Sequence, residues 1–117
     1  MIRDDKVYLE NILDAIQFIE KHCKKLNIES FCQDELVQNA MARQLEGIGE
    51  ASTHVSSKVK ENIAGVEWKK VIGMRNKLIH EYFGIDLSIV WTTIKEELPK
   101  LKKEIKNYLK NKKNAKQ

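Results

Sequence analysis

The chain has 117 residues and a mass of 13.6 kDa, the size of one domain with no room for a second. Hydrophobic residues reach 42% and charged residues 32%, with 5 glycines, 1 proline and no Asn-Gly or Asp-Gly pair; a core under a wet surface is expected, and hairpin-built all-β, collagen-like and low-complexity chains are excluded. The formal net charge of +4 is uneven, because Lys100 to Gln117 holds 8 lysines and one glutamate, while residues 1–99 carry 13 basic and 16 acidic groups.

The N-terminus, Met1-Ile2-Arg3-Asp4-Asp5, lacks the apolar stretch of a signal peptide. Nowhere does an apolar run approach the roughly 18 residues a bilayer span needs. Then Leu9, Ile12, Ile16, Ile19, Cys23 and Leu26 recur at spacings of 3 and 4, one stripe of an amphipathic helix. Asn27-Ile28-Glu29-Ser30 breaks it. Cys23 falls on the apolar seam, so a buried free thiol is expected there. Cys23 and Cys32 are too few for a disulfide scaffold or a structural zinc site, which points to the cytoplasm.

A second stripe spans about Asp34 to Lys60: Val37, Met41, Leu45, Ile48, Ala51 or Ser52, Val55 and Val59. Gly47 and Gly49 lie inside it, each weakening a helix by about 1 kcal/mol relative to alanine. They are expected where another backbone approaches closely. Asn62 to Gly65 reads as a turn. A third helix runs from about Glu67 to Phe83, with Val71, Met74, Leu78 and Tyr82 on one line and Trp68, Ile72 and Ile79 on the next. Gly84 is its expected stop.

The fourth stretch opens at Asp86, a good N-cap, and carries Leu87, Val90, Trp91, Ile94, Leu98, Leu101, Ile105 and Tyr108. Pro99 inside it should kink or split the helix. Short connections imply antiparallel neighbours, hence an all-α, up-down bundle of four to five helices. The helical domain is expected over residues 1–110 and a basic flexible tail over residues 111–117. That tail reads either as a solvated, frayed end or as a segment resting against a polyanion.

Chemistry concentrates in Gly73-Met74-Arg75-Asn76-Lys77-Leu78-Ile79-His80-Glu81-Tyr82-Phe83. On a helix Arg75 neighbours Ile72 and Ile79, so a permanent charge sits beside an apolar line. It reads either as an arginine laying its stem along the core edge or as an anion clamp in a cleft. His80, Asn76 and Gly73 form a small, polar row. Ideal geometry separates Arg75 and His80 by about 7.5 Å along the axis and about 140° around it, a better fit if a second subunit completes the site. A histidine near a helix C-terminus is also a common structural feature, since the dipole favours its protonated form. His22, His54 and His80 are scattered and lack metal-ligand spacing, so neither a metal nor a cofactor is expected. Glu50 on the second helix reads as a supporting group at the cleft or as a solvent-facing acid.

Arg75-Asn76-x-x-x-His80 resembles the R-x-x-x-x-H signature of the HEPN superfamily, and His80-Glu81-Tyr82 the H-x-Y form of its HepT-like ribonuclease toxins. Gln44-Leu45-Glu46-Gly47-Ile48-Gly49-Glu50-Ala51, Trp68-Lys69-Lys70-Val71-Ile72-Gly73, Tyr82-Phe83-Gly84-Ile85-Asp86, Ile89-Val90-Trp91 and Leu98-Pro99-Lys100-Leu101 are similar too, in family order. The resemblance reaches to about Leu109. One departure is mild: Val66-Glu67 precedes Trp68 where the family often has a proline.

That resemblance implies the HEPN fold, with a homodimer through the motif helices and both motifs lining one cleft. It implies a metal-independent endoribonuclease in which the RNA 2′-hydroxyl attacks its own phosphate, with His80, Arg75 and Asn76 as the catalytic residues. It further implies a toxin of a type VII-like toxin–antitoxin system. The antitoxin would be an MntA-like nucleotidyltransferase that transfers AMP to Tyr82. As a plain reading of spacing, Tyr82 could equally be core. The alternative from another class is a non-catalytic HEPN module that docks a nucleotidyltransferase and presents a substrate to it.

Overall fold

The computed structural model describes residues 4–73 and 86–115. The chain is all-α, and no strand occurs among the described residues. Helix α1 (Asp5–Cys23) starts where the Asp4 carboxylate accepts the Lys6 N–H at 3.0 Å. Its stripe, Leu9, Ile12, Ile16, Ile19 and Cys23, is fully buried as the periodicity predicts.

The break after it is itself a helix start. Asn27 and Ser30 form a reciprocal capping box, at 2.8 and 3.0 Å, over the short α2 (Ile28–Cys32). Phe31 on α2 is buried with its ring centroid 5.1 Å from that of Trp91. Helix α3 (Glu35–His54) is capped by Asp34 and packs along α1.

The second stripe is two helices and not one. Val55 turns to extended backbone (ψ 131°), and Ser56 caps a separate α4 (Ser57–Asn62). The cause lies across the bundle. The Asp5 carboxylate accepts the Ser56 N–H at 2.8 Å and its hydroxyl at 2.9 Å, which takes Ser56 out of the helix. The same contact sets the start of α1 beside the end of α3, so the two run antiparallel. Val55 and Val59 remain buried on either side of the break.

The expected turn follows at residues 63–66, and residues 68–73 are helical (α5). Asp86 caps α6 (Leu87–Thr92) through the Ile89 N–H, as expected. Pro99 widens the helix instead of parting it, since helical backbone runs without a gap from Leu87 to Ala115. Lacking an N–H, it cannot continue the ladder, and the chain answers with a π-helical turn (Thr93–Glu97) before α7 (Leu98–Ala115). The Leu98 N–H reaches back to the Thr93 carbonyl. Helical backbone thus continues through Ala115, into the stretch the sequence reads as a basic tail.

Lys102 Nζ pairs with Glu20 at 2.8 Å, joining the start of α7 to the end of α1 and making this pair antiparallel too. Between these helices lies one core, built from Leu9, Ile12, Ile16, Met41, Leu45, Ile48, Leu98, Leu101 and Ile105 with their neighbours. No helix among the described residues is long and apolar enough to cross a membrane.

Candidate functional site

Arg75, Asn76, His80 and Tyr82 lie outside the described residues, as do the expected Gly84 stop and Ile79. The structure does describe the platform that leads into the motif. The Glu67 carbonyl accepts the N–H groups of Lys70 and Val71 at 3.0 and 3.2 Å, opening α5. Trp68 is buried in this protomer's own core, 9% exposed, with Lys60 Nζ 5.8 Å from its ring centroid. Its Nε1 has no hydrogen-bond partner among the described residues. Of the line Trp68, Ile72 and Ile79, Trp68 is thus buried within its own chain, Ile72 is partly buried and Ile79 lies outside the described residues. The size of Trp68 and the apolar line it shares with the core hold the start of the helix down.

Beside α5 runs an open groove of about 550 Å³. Val66, Val71, Gly73, Ile89, Leu98 and Leu101 give it an apolar floor, and Glu67, Lys70, Glu97 and Lys100 charge its rim. Lys70 Nζ bridges to Glu97 Oε1 at 3.3 Å across it, an exposed pair that holds α5 against the π-helical turn only weakly. A Cβ built on Gly73 meets nothing within 4 Å, so the described chain leaves open space at its last described residue before the motif.

Glu50 is the one sequence-predicted site residue inside the described region. It sits half-exposed on α3, its Oε1 3.4 Å from His54 Nε2. The His54 ring in turn stacks on Tyr8, centroids 5.0 Å apart. Sequence reasoning singled out Glu50 but not His54 or Tyr8; the i,i+4 spacing from Glu50 to His54 was a readable signal, whereas the Tyr8 contact needs the antiparallel packing of α1 on α3. Gly47 does not match its expectation. It is exposed, and a Cβ there would meet nothing within 4 Å. Gly49 is buried. Among the described residues no group of three or more histidine, cysteine or acidic side chains is placed to hold a metal.

Comparison with known proteins identifies the family. The family described as "Ribonuclease HepT-like" matches residues 12–108. A Caldanaerobacter subterraneus subsp. tengcongensis protein named "Putative RNase" is 39% identical over 112 residues, covering 96% of this chain and 100% of that protein. "Probable ribonuclease HepT" of Thermococcus cleftensis is 42% identical over 102 residues, 87% of this chain and 93% of its own. A "Putative RNase" of Methanocaldococcus jannaschii is 39% identical over 103 residues, with 88% and 94% covered. No solved structure matches the chain. A family match across the four helical stretches, with near full-length relatives on both sides of it, makes this chain a member of the HepT-like family of the HEPN superfamily.

Proposed function

We propose that the protein is a metal-independent endoribonuclease, the toxin of a type VII-like toxin–antitoxin system. The observation that carries this is the family match over residues 12–108 together with an intact Arg75-Asn76-x-x-x-His80 in the chain. A docking module alone has no need of that trio.

In the proposed reaction the RNA 2′-oxygen attacks the adjacent phosphorus and the bond from phosphorus to the 5′-oxygen breaks. The products are a 2′,3′-cyclic phosphate and a free 5′-hydroxyl. One imidazole takes the 2′ proton and another returns a proton to the leaving oxygen, work suited to a group that titrates near neutrality. In a homodimer the two copies of His80 supply both. Arg75 holds the phosphate through paired hydrogen bonds and offsets the charge that builds on the phosphorane. Asn76 orients His80 or bonds the phosphate; Glu50, exposed beside His54, is either a supporting group at the cleft or a solvent-facing acid. Tyr82 is the proposed acceptor of AMP from a cognate nucleotidyltransferase antitoxin. The added phosphodiester charge beside Arg75 would compete with the RNA backbone.

The test is direct. In EDTA the purified protein should cut RNA and leave cyclic-phosphate ends, and His80→Ala and Arg75→Ala should each lose about 10²–10⁴-fold in rate with helical circular dichroism intact. A His80→Ala variant that cuts at the parental rate overturns the mechanism. With the antitoxin, ATP and magnesium, AMP masses should appear and vanish in Tyr82→Phe. Modification on Tyr8 or Tyr108, or none from a competent partner, overturns the proposed control and leaves the docking reading.

A further inference from the structure

The solvent side of α7 is unlike any other surface of the described chain. Lys100, Lys103, Lys106 and Lys110 are all exposed. On an ideal helix they fall within an arc of about 120°, roughly opposite the buried Leu98, Leu101 and Ile105. Pro99 and Asn107 are the other exposed residues of that arc. The acid of this stretch, Glu104, is turned away from it: its carboxyl group lies against Gly65, 2.6 Å from where a Cβ on that glycine would stand. Lys102, whose pairing with Glu20 neutralises it, lies on the α1 side. Among the described residues no carboxylate forms an ion pair with Lys100, Lys103, Lys106 or Lys110. A mixed surface is the ordinary condition, and α1 shows it with Lys6, Glu10, Asp14 and Lys21 all exposed.

Position adds the second observation. Lys100 lies on the rim of the groove that Gly73 and Lys70 also line. From there the lysines run away along α7, one per turn, over about 15 Å of axis from Lys100 to Lys110. The row therefore begins where the motif segment begins and leads outward.

We propose that this face of α7 is a rail for the sugar-phosphate backbone of single-stranded RNA, holding the strand by charge as it leaves the groove. One cation per helical turn suits a flexible strand with one charge per nucleotide, and binding of this kind is indifferent to base sequence. An anionic membrane surface fits less well. Interfacial helices dip an apolar face into lipid, and the apolar face of α7 is spent on the core. The inference rests on the ribonuclease reading for the identity of the polyanion.

The experiment uses full-length protein and a short 2′-O-methyl oligouridylate, which binds but cannot be cut because its 2′-oxygen is blocked. Binding is followed by fluorescence anisotropy across a sodium chloride series. The triple variant Lys103→Gln, Lys106→Gln, Lys110→Gln should flatten the slope of log K against log salt by about 2, at about 0.7 per cation. The corresponding triple Lys→Arg variant should keep the parental slope. On long RNA the Gln variant should raise KM with kcat unchanged, and it should cut a dinucleotide like the parent. An unchanged salt slope in the Gln variant overturns the rail. So does a loss confined to binding of phosphatidylserine vesicles, which would assign the face to a membrane. If the slope flattens but neither protein cuts any RNA, the rail stands and the ribonuclease reading fails.

Discussion

Cys23 and Cys32 differ in their access to solvent. Cys23 is 1% exposed and Cys32 is open to solvent. Burial pushes the Cys23 thiol above its ordinary value of 9.0, opposed in part by the positive charge of Lys95. A water-soluble disulfide reagent should therefore label Cys32 at once and Cys23 only as the fold opens. The raised value also has a stability consequence. The neutral thiol is favoured in the folded chain, so its contribution is complete below pH 9 and is lost as pH rises through the higher folded value. The stability gap between the parent and Cys23→Ala, read from urea midpoints, should narrow above that pH; a constant gap would contradict the burial argument. Gly47 offers a second test at this scale. With nothing near its missing Cβ, Gly47→Ala should stabilise the chain by about 0.5–1 kcal/mol. A destabilised variant would instead reveal a neighbour at that spot that the single chain lacks.

Among the elements, the boundaries decided by partners were the ones the sequence hid. The apolar stripe runs through Val55 and Val59 without a missed beat, so periodicity alone joins α3 to α4. What divides them is Asp5, distant in sequence, acting on Ser56. Ser56 heading a polar run was a local cue, but serine is also tolerated within helices. Ser56→Ala should remove the α4 cap and the hydroxyl bond to Asp5, leaving the backbone N–H bond in place, and cost about 1–2 kcal/mol in a chemical denaturation curve. A loss near zero would mean that packing of Val55 and Val59 sets the break. Asp34, Asp86 and the Leu9 to Cys23 stripe were legible because a cap or a period is local. Pro99 was half legible: its missing N–H disturbs the ladder, but whether a helix kinks, parts or, as here, widens into a π-helical turn depends on what it packs against. Of the candidate site, Arg75, Asn76, His80 and Tyr82 were legible as an ordered motif. The groove beside α5 was not, since it is formed by α5 meeting the π-helical turn and α7.

At the scale of the whole molecule, the proposed chemistry needs two histidines and the chain supplies one motif. A second copy must therefore come from elsewhere, and the start of α5 narrows where it can dock. Trp68 is committed to its own core, and Val71 packs against that core as well. Ile72 differs: it is only partly buried and, among the described residues, is not one of the side chains that pack on the core cluster. A partner that covers it would remove apolar surface from water at the helix that leads toward the motif segment, and a stable interface should bury at least about 1,000 Å² in total. Light scattering at micromolar concentration should then give twice the 13.6 kDa of one chain. Ile72→Glu should return that mass to one chain with the helical circular dichroism unchanged, because an acid at a site the core does not fully enclose harms an interface more than a core. Trp68→Ala should do the opposite, costing about 3–5 kcal/mol of fold stability. If cleavage needs both motifs in one cleft, the Ile72→Glu monomer should be inactive at low concentration and recover when its concentration is raised. A monomer that cuts RNA at the parental rate would sink the shared cleft and require a second acid–base group within a single chain.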